Sequence, residues 1–186
     1  MATMHISEVL KLVGAVKDAK DKAIQLKKYE SAQLKLYLYF SLCNAVEFAI
    51  PETPAEYTPF DVPVEQGETN LFHEARKMKY FLKGGVPNLQ QAKREKLYVD
   101  MLNRLSRDEA AAMEDIRLGL LESKYGISRS VVERAFADVA AWFAKYSKAE
   151  VVQPVAEKVK SARPKAAPKI KKLDDVINEV KATNEN

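Results

Sequence analysis

Four prolines close together determine where a helix cannot form in this chain. Pro51, Pro54, Pro59 and Pro63 lie within residues 50–68. Proline lacks the backbone N–H that a helix needs and disfavours helical geometry in the residue before it, so no helix fits there. The stretch also carries five acidic residues, Glu52, Glu56, Asp61, Glu65 and Glu68. The sequence therefore predicts a long acidic, Pro-rich loop at 50–68, which Tyr57 and Phe60 attach to the protein body.

Helical patterns occupy both sides of this loop. The expected helices are a short one capped by Ser7, then 18–29, 31–49, 70–83, 88–105 and 106–124, and a last one capped by Ser128 or Ser130. The spacing Ser106-x-x-Glu109 is a capping-box signature. Residues 34–40 alternate as a strand would, but the apolar run is too long for a strand and has no hairpin partner. We predict an all-α fold, a compact multi-helix single domain over residues 1–147 with 31–49 at its centre.

The composition changes after Ser147. Prolines interspersed with Lys, Ala and Val predict a disordered basic linker over 148–172, in which 158–172 hold seven Lys or Arg and no acid. Residues 173–186 form a short amphipathic segment of net charge −3. Its apolar positions, spaced as one helix face, are Leu173, Val176, Ile177 and Val180. We expect either docking of this face in a partner's groove or a tail that only keeps the protein in solution.

The positive charge of the body is concentrated in one block. The whole chain has a net charge of +4, but residues 74–107 carry nine Lys or Arg against three Asp or Glu. The candidate cations are Arg76, Lys79 and Lys83 on one predicted helix, and Lys93, Arg94 and Lys96 on the next. If these two helices fold against each other, the cations could share a face that follows nucleic-acid phosphates or another polyanion. The alternative is an ordinary solvated helix surface.

A second candidate is the segment 125–135, which resembles the turn and recognition helix of helix-turn-helix DNA-binding proteins. Gly126 stands at the turn and Val132 at a buried position. The side chains that would face the major groove are Arg129, Ser130, Glu133 and Arg134. Glu122, however, stands where the first helix of such a pair needs a small residue. An ordinary helix–Gly–helix corner explains the same residues.

The sequence offers little for catalysis. His73-Glu74 lacks the second histidine of a zinc-protease helix, and Gly84-Gly85 is a helix stop rather than a phosphate cradle. Cys43 is the only cysteine and stands in an apolar stretch, which favours a buried hydrophobe over a nucleophile. We expect no catalytic residue, no cofactor and no metal site. No apolar run reaches the roughly 18 residues of a membrane span, and no signal peptide is visible, so we expect no membrane partner.

Residues 28–143 resemble a family of uncharacterised proteins from T4-like tailed phages, especially those that infect cyanobacteria. The matching residues are Lys28-Tyr29-Glu30-Ser31, Ile50-Pro51 through Tyr57-Thr58-Pro59, Glu74-Ala75-Arg76-Lys77, Tyr80-Phe81 with Gly84-Gly85, Lys93-Arg94-Glu95, Leu102 to Leu105 with Glu109-Ala110, and Val131-Val132 with Ala135-Phe136. The resemblance implies a phage origin and a location in the host cytoplasm or in the virion. It implies no activity and no site residue.

These features together lead to three hypotheses of function. The first is a non-enzymatic phage accessory protein that binds DNA, or a protein complex that works on DNA, in the host cytoplasm. The second is a virion-associated structural or assembly protein whose tail contacts packaged DNA or a capsid partner. The third is an inhibitor of a host enzyme, with the acidic loop at 52–68 as the contact.

Overall fold

Polar side chains that cap backbone N–H groups mark where four of the described helices begin. The computed structural model describes residues 4–51 and 56–147. Its helices are α1 (Ile6–Ala15), α2 (Ala19–Lys28), α3 (Ala32–Leu42), α4 (Leu71–Glu74), α5 (Gln91–Arg104), α6 (Arg107–Arg117), α7 (Leu121–Tyr125), α8 (Arg129–Ala135) and α9 (Ala137–Ser147), with 3-10 turns at Val64–Gln66 and Ala75–Tyr80. Asp18, Ser31, Asn70 and Ser106 accept hydrogen bonds from N–H groups in the first turns of α2, α3, α4 and α6.

The all-α prediction is confirmed over the residues that the structure describes. Within 4–51 and 56–147 only isolated bridges join extended residues, one between Phe48 and Leu82 and one between Phe60 and Ser106. The strand-like run 34–40 lies in α3. This helix packs against α4, α6, α9 and the 3-10 turn at Ala75–Tyr80, so it is the centre of the core as expected. The predicted linker 148–172 and the segment 173–186 lie outside the described residues.

Four of the predicted helices are shorter or more broken than expected. The helix predicted at 31–49 ends at Leu42, because residues 47–49 pair instead with the backbone of 81–83. The helix predicted at 70–83 becomes a 3-10 helix from Ala75, since Ala75, Met78 and Phe81 are all buried at a spacing of three. Ser7, the predicted cap of the first helix, is instead buried inside α1.

Two further breaks have a clear local cause. The helix predicted at 106–124 stops at Leu118, where Gly119 takes a φ of +68°. The N–H of Leu120 then bonds the carbonyl of Asp115, which closes a Schellman-type helix end. The predicted last helix is divided into α8 and α9 by Phe136, whose backbone is extended while its side chain is fully buried.

Glu109 explains how the N-terminal ends of two helices meet inside the protein. Its N–H bonds the Ser106 hydroxyl at 3.4 Å, as the capping-box pattern predicts, but its carboxylate does not return to Ser106. The buried carboxylate instead accepts the N–H of Ser7 at 3.0 Å and the N–H of Leu71 at 2.6 Å. It therefore places a negative group at the starts of both α1 and α4, where unpaired N–H groups favour an anion.

The Pro-rich loop is attached to the body by its backbone as well as by an aromatic ring. Tyr57 is half-buried and packs against the core, as predicted. The Phe60 side chain is 44% exposed, so the expectation that it pins the loop is wrong for the ring. The Phe60 backbone makes the attachment, because it accepts the N–H of Arg107 at 2.9 Å and donates to Leu105 at 3.1 Å. Cys43 is buried, as expected.

Candidate anion-binding surfaces

Arg94 is a structural residue rather than an exposed phosphate ligand. Its side chain is 7% exposed, and its guanidinium donates hydrogen bonds to three backbone carbonyls. Nη1 bonds the carbonyl of Tyr80, while Nη2 lies 3.3 Å from that of Val86 and 3.4 Å from that of Leu89. The prediction that Arg94 belongs to a surface cation face is therefore wrong. Its side chain is buried and donates hydrogen bonds to carbonyls of the turn between the two helical segments.

The same contact brings the remaining predicted cations to one junction. Because Arg94 reaches Tyr80, the start of α5 lies against the end of the 3-10 turn Ala75–Tyr80. Arg76 and Lys79 stand three residues apart on that 3-10 turn, which has three residues per turn and so places them on one face. Lys93 and Lys96 have the same spacing on α5, which places them about 60° apart around the helix.

The cations of this junction differ in what they already contact. Lys83 forms a salt bridge with Glu47. The Lys79 amine lies 5.4 Å from the centre of the Tyr80 ring, a cation–π contact. Within residues 4–51 and 56–147, Arg76, Lys93 and Lys96 are exposed and have no acidic partner. We call Arg76, Lys79, Lys93 and Lys96 the junction cations.

The helix-turn-helix-like corner has the backbone that its sequence predicts. Gly126 takes a left-handed φ of +61°, and Val132 is buried. Its polar side chains, however, are engaged locally: Arg129 pairs with Glu133 at 2.7 Å and lies 4.6 Å from the centre of the Phe143 ring. The hydroxyl of Ser130 lies 2.9 Å from that of Ser128. The ordinary helix–Gly–helix corner accounts for these contacts.

Arg134, the remaining residue of that corner, lines a groove between α2 and α8. We call this surface the α2–α8 groove. Its volume is about 650 Å³, its rim carries Lys20, Lys27, Lys28 and Arg134, and its floor is formed by Ala23, Ile24 and Ala135. Ile24 is 57% exposed, more than any other large hydrophobic side chain in the described part of the protein. No acidic residue lines the groove in the part of the chain that the structure describes.

The α2 side of this groove is not among the residues predicted from the sequence. Lys20, Ala23, Ile24, Lys27 and Lys28 are spaced i, i+3, i+4, i+7 and i+8, which is one face of a helix. That spacing was a readable signal for an exposed face with mixed apolar and basic character. Glu30 pairs with one of these cations, Lys27, at 2.7 Å, and it also pairs with Lys35. Hydrogen bonds from these two lysines hold the pKa of Glu30 below its ordinary value.

A larger groove of about 1170 Å³ lies beside Pro51 and Arg117. Arg117 is already used there: it pairs with Glu114 at 2.7 Å and donates to the carbonyl of Pro51 at 2.7 Å. Tyr98 donates its hydroxyl to the same carboxylate at 2.5 Å. Burial, together with the Glu114 carboxylate, raises the pKa of Tyr98. These contacts hold α5 and α6 together, and we assign the cluster a structural role.

Over 4–51 and 56–147, no group of three or more His, Cys, Asp or Glu side chains could hold a metal ion. None of the helices in the same ranges has the length and apolar character to cross a membrane. The predicted docking residues Leu173, Val176, Ile177 and Val180 lie outside these ranges.

Comparison with known proteins identifies a family for this chain. No curated protein and no solved structure matches it. One family model matches residues 9–123, a range that begins within α1, includes α2 to α6 and the junction cations, and ends within α7. Because this match covers more than half of the 186 residues, the chain belongs to a family of unknown function, DUF6433.

Proposed function

We propose that this protein is a non-enzymatic accessory protein of a tailed phage, and that it binds DNA, or a protein complex that works on DNA, in the host cytoplasm. The observation that carries the proposal is the set of junction cations. Arg76, Lys93 and Lys96 are exposed, and among the described residues no acidic side chain pairs with them. A cation without an acidic partner keeps its full attraction for a phosphate, whereas a paired one must first give up its partner.

The arrangement fits a phosphate backbone better than a compact anion. The junction cations come as two pairs on two different elements, which Arg94 fastens together. Duplex DNA presents one negative charge per ~1.7 Å of axis, so a row of separated cations can neutralise several phosphates at once. Contacts of this kind position a protein on nucleic acid without reading its sequence.

The phage assignment depends on the resemblance of residues 28–143 to proteins of T4-like tailed phages. Family membership adds no activity, since the function of that family is unknown. A pull-down of the full chain from infected cells tests the cellular role: co-purification with replication or transcription proteins supports it. Recovery of the chain in purified virions would instead favour a structural or assembly role.

The direct test is a titration of the full chain against a fluorescent DNA duplex of arbitrary sequence, followed by anisotropy. The variant Arg76→Gln/Lys93→Gln/Lys96→Gln removes three unpaired cations. We expect its Kd to rise by more than about tenfold at low salt, because each lost phosphate contact forfeits the release of a counterion. The predicted basic linker 158–172 is unchanged, so its own attraction for DNA cancels in the comparison.

The matched control is Lys11→Gln/Arg104→Gln/Arg107→Gln, which removes the same net charge. These three cations are also on the surface, but they form salt bridges with Asp108, Glu68 and Asp61. We expect a change of no more than about twofold when both variants are compared at ~0.1 M salt, since charges more than about 10 Å from the DNA are largely screened there. Equal losses in both triple variants, or no measurable binding by the unaltered chain at low salt, would refute the proposal.

A further inference from the structure

The α2–α8 groove has the dimensions of a short helix. Its α2 wall runs from Lys20 to Lys28, a rise of about 12 Å at 1.5 Å per residue. The apolar positions Ala23 and Ile24 lie in the middle of this wall, and Ala135 of α8 completes the floor. The exposed apolar surface is concentrated at Ile24, since Ala23 and Ala135 are 4% and 8% exposed. A ligand that fits must therefore lie along about two turns of α2 and cover Ile24.

The basic rim of the groove favours an acidic ligand. Lys20, Lys28 and Arg134 have no acidic partner in the described part of the chain, and only Lys27 is paired, with Glu30. A bare polyanion could contact the rim but would leave Ile24 exposed to water. An acidic peptide with an apolar stripe satisfies both the rim and the floor.

The chain itself contains such a peptide. We propose that the acidic segment 173–186 docks in the α2–α8 groove of its own molecule, as a short helix formed on binding. Its apolar residues Leu173, Val176, Ile177 and Val180 are spaced i, i+3, i+4 and i+7, which spans about 10.5 Å along a helix and matches the groove. On a helical wheel, Asp174 and Glu179 lie about 110° to either side of the centre of this stripe, where they can face the cations of the rim.

The tether is long enough for this contact. Residues 148–172 provide 25 residues between the end of α9 and the docking segment. Twenty-five residues can span at most about 80–90 Å, well beyond the ~30 Å diameter of a small domain, so the segment can reach the groove. α9 packs directly on α8, so the tether starts from a helix that borders the groove. An intramolecular partner on such a tether acts at an effective concentration of about a millimolar, which makes a weak contact significant.

The charges along the tail identify which part of it can dock. Residues 158–172 hold seven Lys or Arg and no acid, so the basic rim repels them. Only the terminal segment combines negative charge with an apolar stripe.

The test uses the full chain with a nitroxide at Ala182→Cys, a position opposite the apolar stripe on a helical wheel. Cys43 is 3% exposed, so the reagent should label only the new cysteine; the unsubstituted chain, treated in parallel, should keep its mass. In ¹⁵N-labelled protein we expect paramagnetic broadening of amide signals from Lys20 to Lys28 and around Arg134. Broadening that is absent there would overturn the proposal.

Charge exchange supplies the decisive comparison. The variant Lys20→Glu/Lys28→Glu/Arg134→Glu should lose the broadening, and the addition of Asp174→Lys/Asp175→Lys/Glu179→Lys should restore it. The matched reversal Arg76→Glu/Lys93→Glu/Lys96→Glu should leave the broadening in place. Loss without restoration, or equal loss in the matched reversal, would overturn the proposal.

A mixture of nitroxide-labelled ¹⁴N chains with unlabelled ¹⁵N chains separates the two sources of a docked segment. We expect no broadening in this mixture. Broadening of the groove signals there would mean that the segment of a second copy occupies the groove, and would overturn docking within one molecule.

Discussion

The basic block 74–107 and the α2–α8 groove differ in two ways. They differ in how easily each can be recognised in the sequence, and in how many of their cations remain without a partner in the fold. The block is contiguous and carries nine cations. The fold uses five of them: Arg94 in backbone hydrogen bonds, and Lys77, Lys83, Arg104 and Arg107 in salt bridges. The groove is assembled from two distant segments, yet three of its four cations have no acidic partner among the described residues.

The comparison shows that charge density along a chain does not measure charge available at a surface. A helix junction needs donors for the carbonyls that its turn leaves unpaired, and an adjacent arginine is the side chain best suited to reach several of them. A basic residue is used by the fold where a neighbouring turn presents such carbonyls, as it does to Arg94. Lys20 and Lys28, the second and last residues of α2, have no acidic partner among the described residues and remain available.

The largest change in the free energy of unfolding should come from replacing Arg94, the buried cation of the block 74–107. Arg94→Met leaves three carbonyls, those of Tyr80, Val86 and Leu89, without their donor. We expect the free energy of unfolding to fall by about 2–4 kcal/mol, since a buried acceptor without a partner costs about 1–3 kcal/mol. Urea denaturation followed by circular dichroism measures the change.

Lys93→Met is the matched control for that substitution, because Lys93 is the preceding residue on the same helix and is exposed. Its effect should stay within about 0.5 kcal/mol, as is usual for surface positions. If Arg94→Met were as mild as Lys93→Met, the structural role of Arg94 would be wrong. Arg94 would then again be a candidate for binding phosphate.

A second experiment tests whether the two basic surfaces serve different ligands. Arg76→Ala and Lys93→Ala should each lower the slope of log affinity for duplex DNA against log salt by about 0.9, one phosphate contact each. Arg134→Ala removes an exposed cation of the groove and should leave the slope unchanged. The measurement is DNA binding by the full chain over a series of salt concentrations. A slope lowered equally by Arg134→Ala would merge the two surfaces into one nucleic-acid face.

The helix starts could be predicted from the sequence because they depend on local chemistry. Asp18, Ser31 and Ser106 cap the helices where the pattern places them. The breaks inside the helices were harder to see, since they depend on tertiary packing. Phe136 interrupts a helical pattern to bury its ring, and Ala75 starts a 3-10 turn that brings Met78 and Phe81 into the core. Gly119 was a readable helix stop that the sequence analysis did not use.

The surfaces were predictable to a lesser degree, for the same reason. The exposure of Arg76, Lys93 and Lys96 follows from their positions opposite the apolar stripes. The loss of Arg94 could not be predicted, because its acceptors come from a turn whose path is set by long-range contacts. The basic and apolar face of α2 was visible in the spacing of Lys20, Ile24 and Lys27. Its pairing with Arg134 required the packing of α2 on α8.

A smaller effect should distinguish the two arginines at the helix–Gly–helix corner. Arg129 is held by Glu133 and by the face of Phe143, so Arg129→Ala should lower the free energy of unfolding by about 0.5–1 kcal/mol. Arg134→Ala should have no measurable effect on unfolding. Thermal or urea denaturation of both variants checks this order. A DNA sequence preference that is lost in Arg129→Ala would contradict it and would favour the helix-turn-helix interpretation.

The smallest effect concerns Glu30, which forms a salt bridge with Lys27, a cation of the groove. Its pKa lies below the ordinary value of about 4.5, because Lys27 and Lys35 donate hydrogen bonds to the carboxylate. A folded-state pKa below the unfolded one means that the stabilisation is fully present above about pH 4.5 and is lost as the pH falls through the folded pKa. Since the pair is largely exposed, Glu30→Gln should cost less than about 1 kcal/mol near neutral pH.

The difference in unfolding free energy between the wild type and Glu30→Gln should therefore be constant at neutral pH and shrink on acidification below about pH 4.5. The same substitution releases Lys27 to the rim of the groove, which then has four unpaired cations in place of three. The groove should hold the acidic segment more tightly, and paramagnetic broadening from position 182 should increase at neutral pH. Glu30 pairs with Lys27 and Lys35 and with none of the junction cations among the described residues. The slope of log affinity for DNA against log salt should therefore not change. A changed slope with unchanged broadening would reverse the roles assigned to the two surfaces.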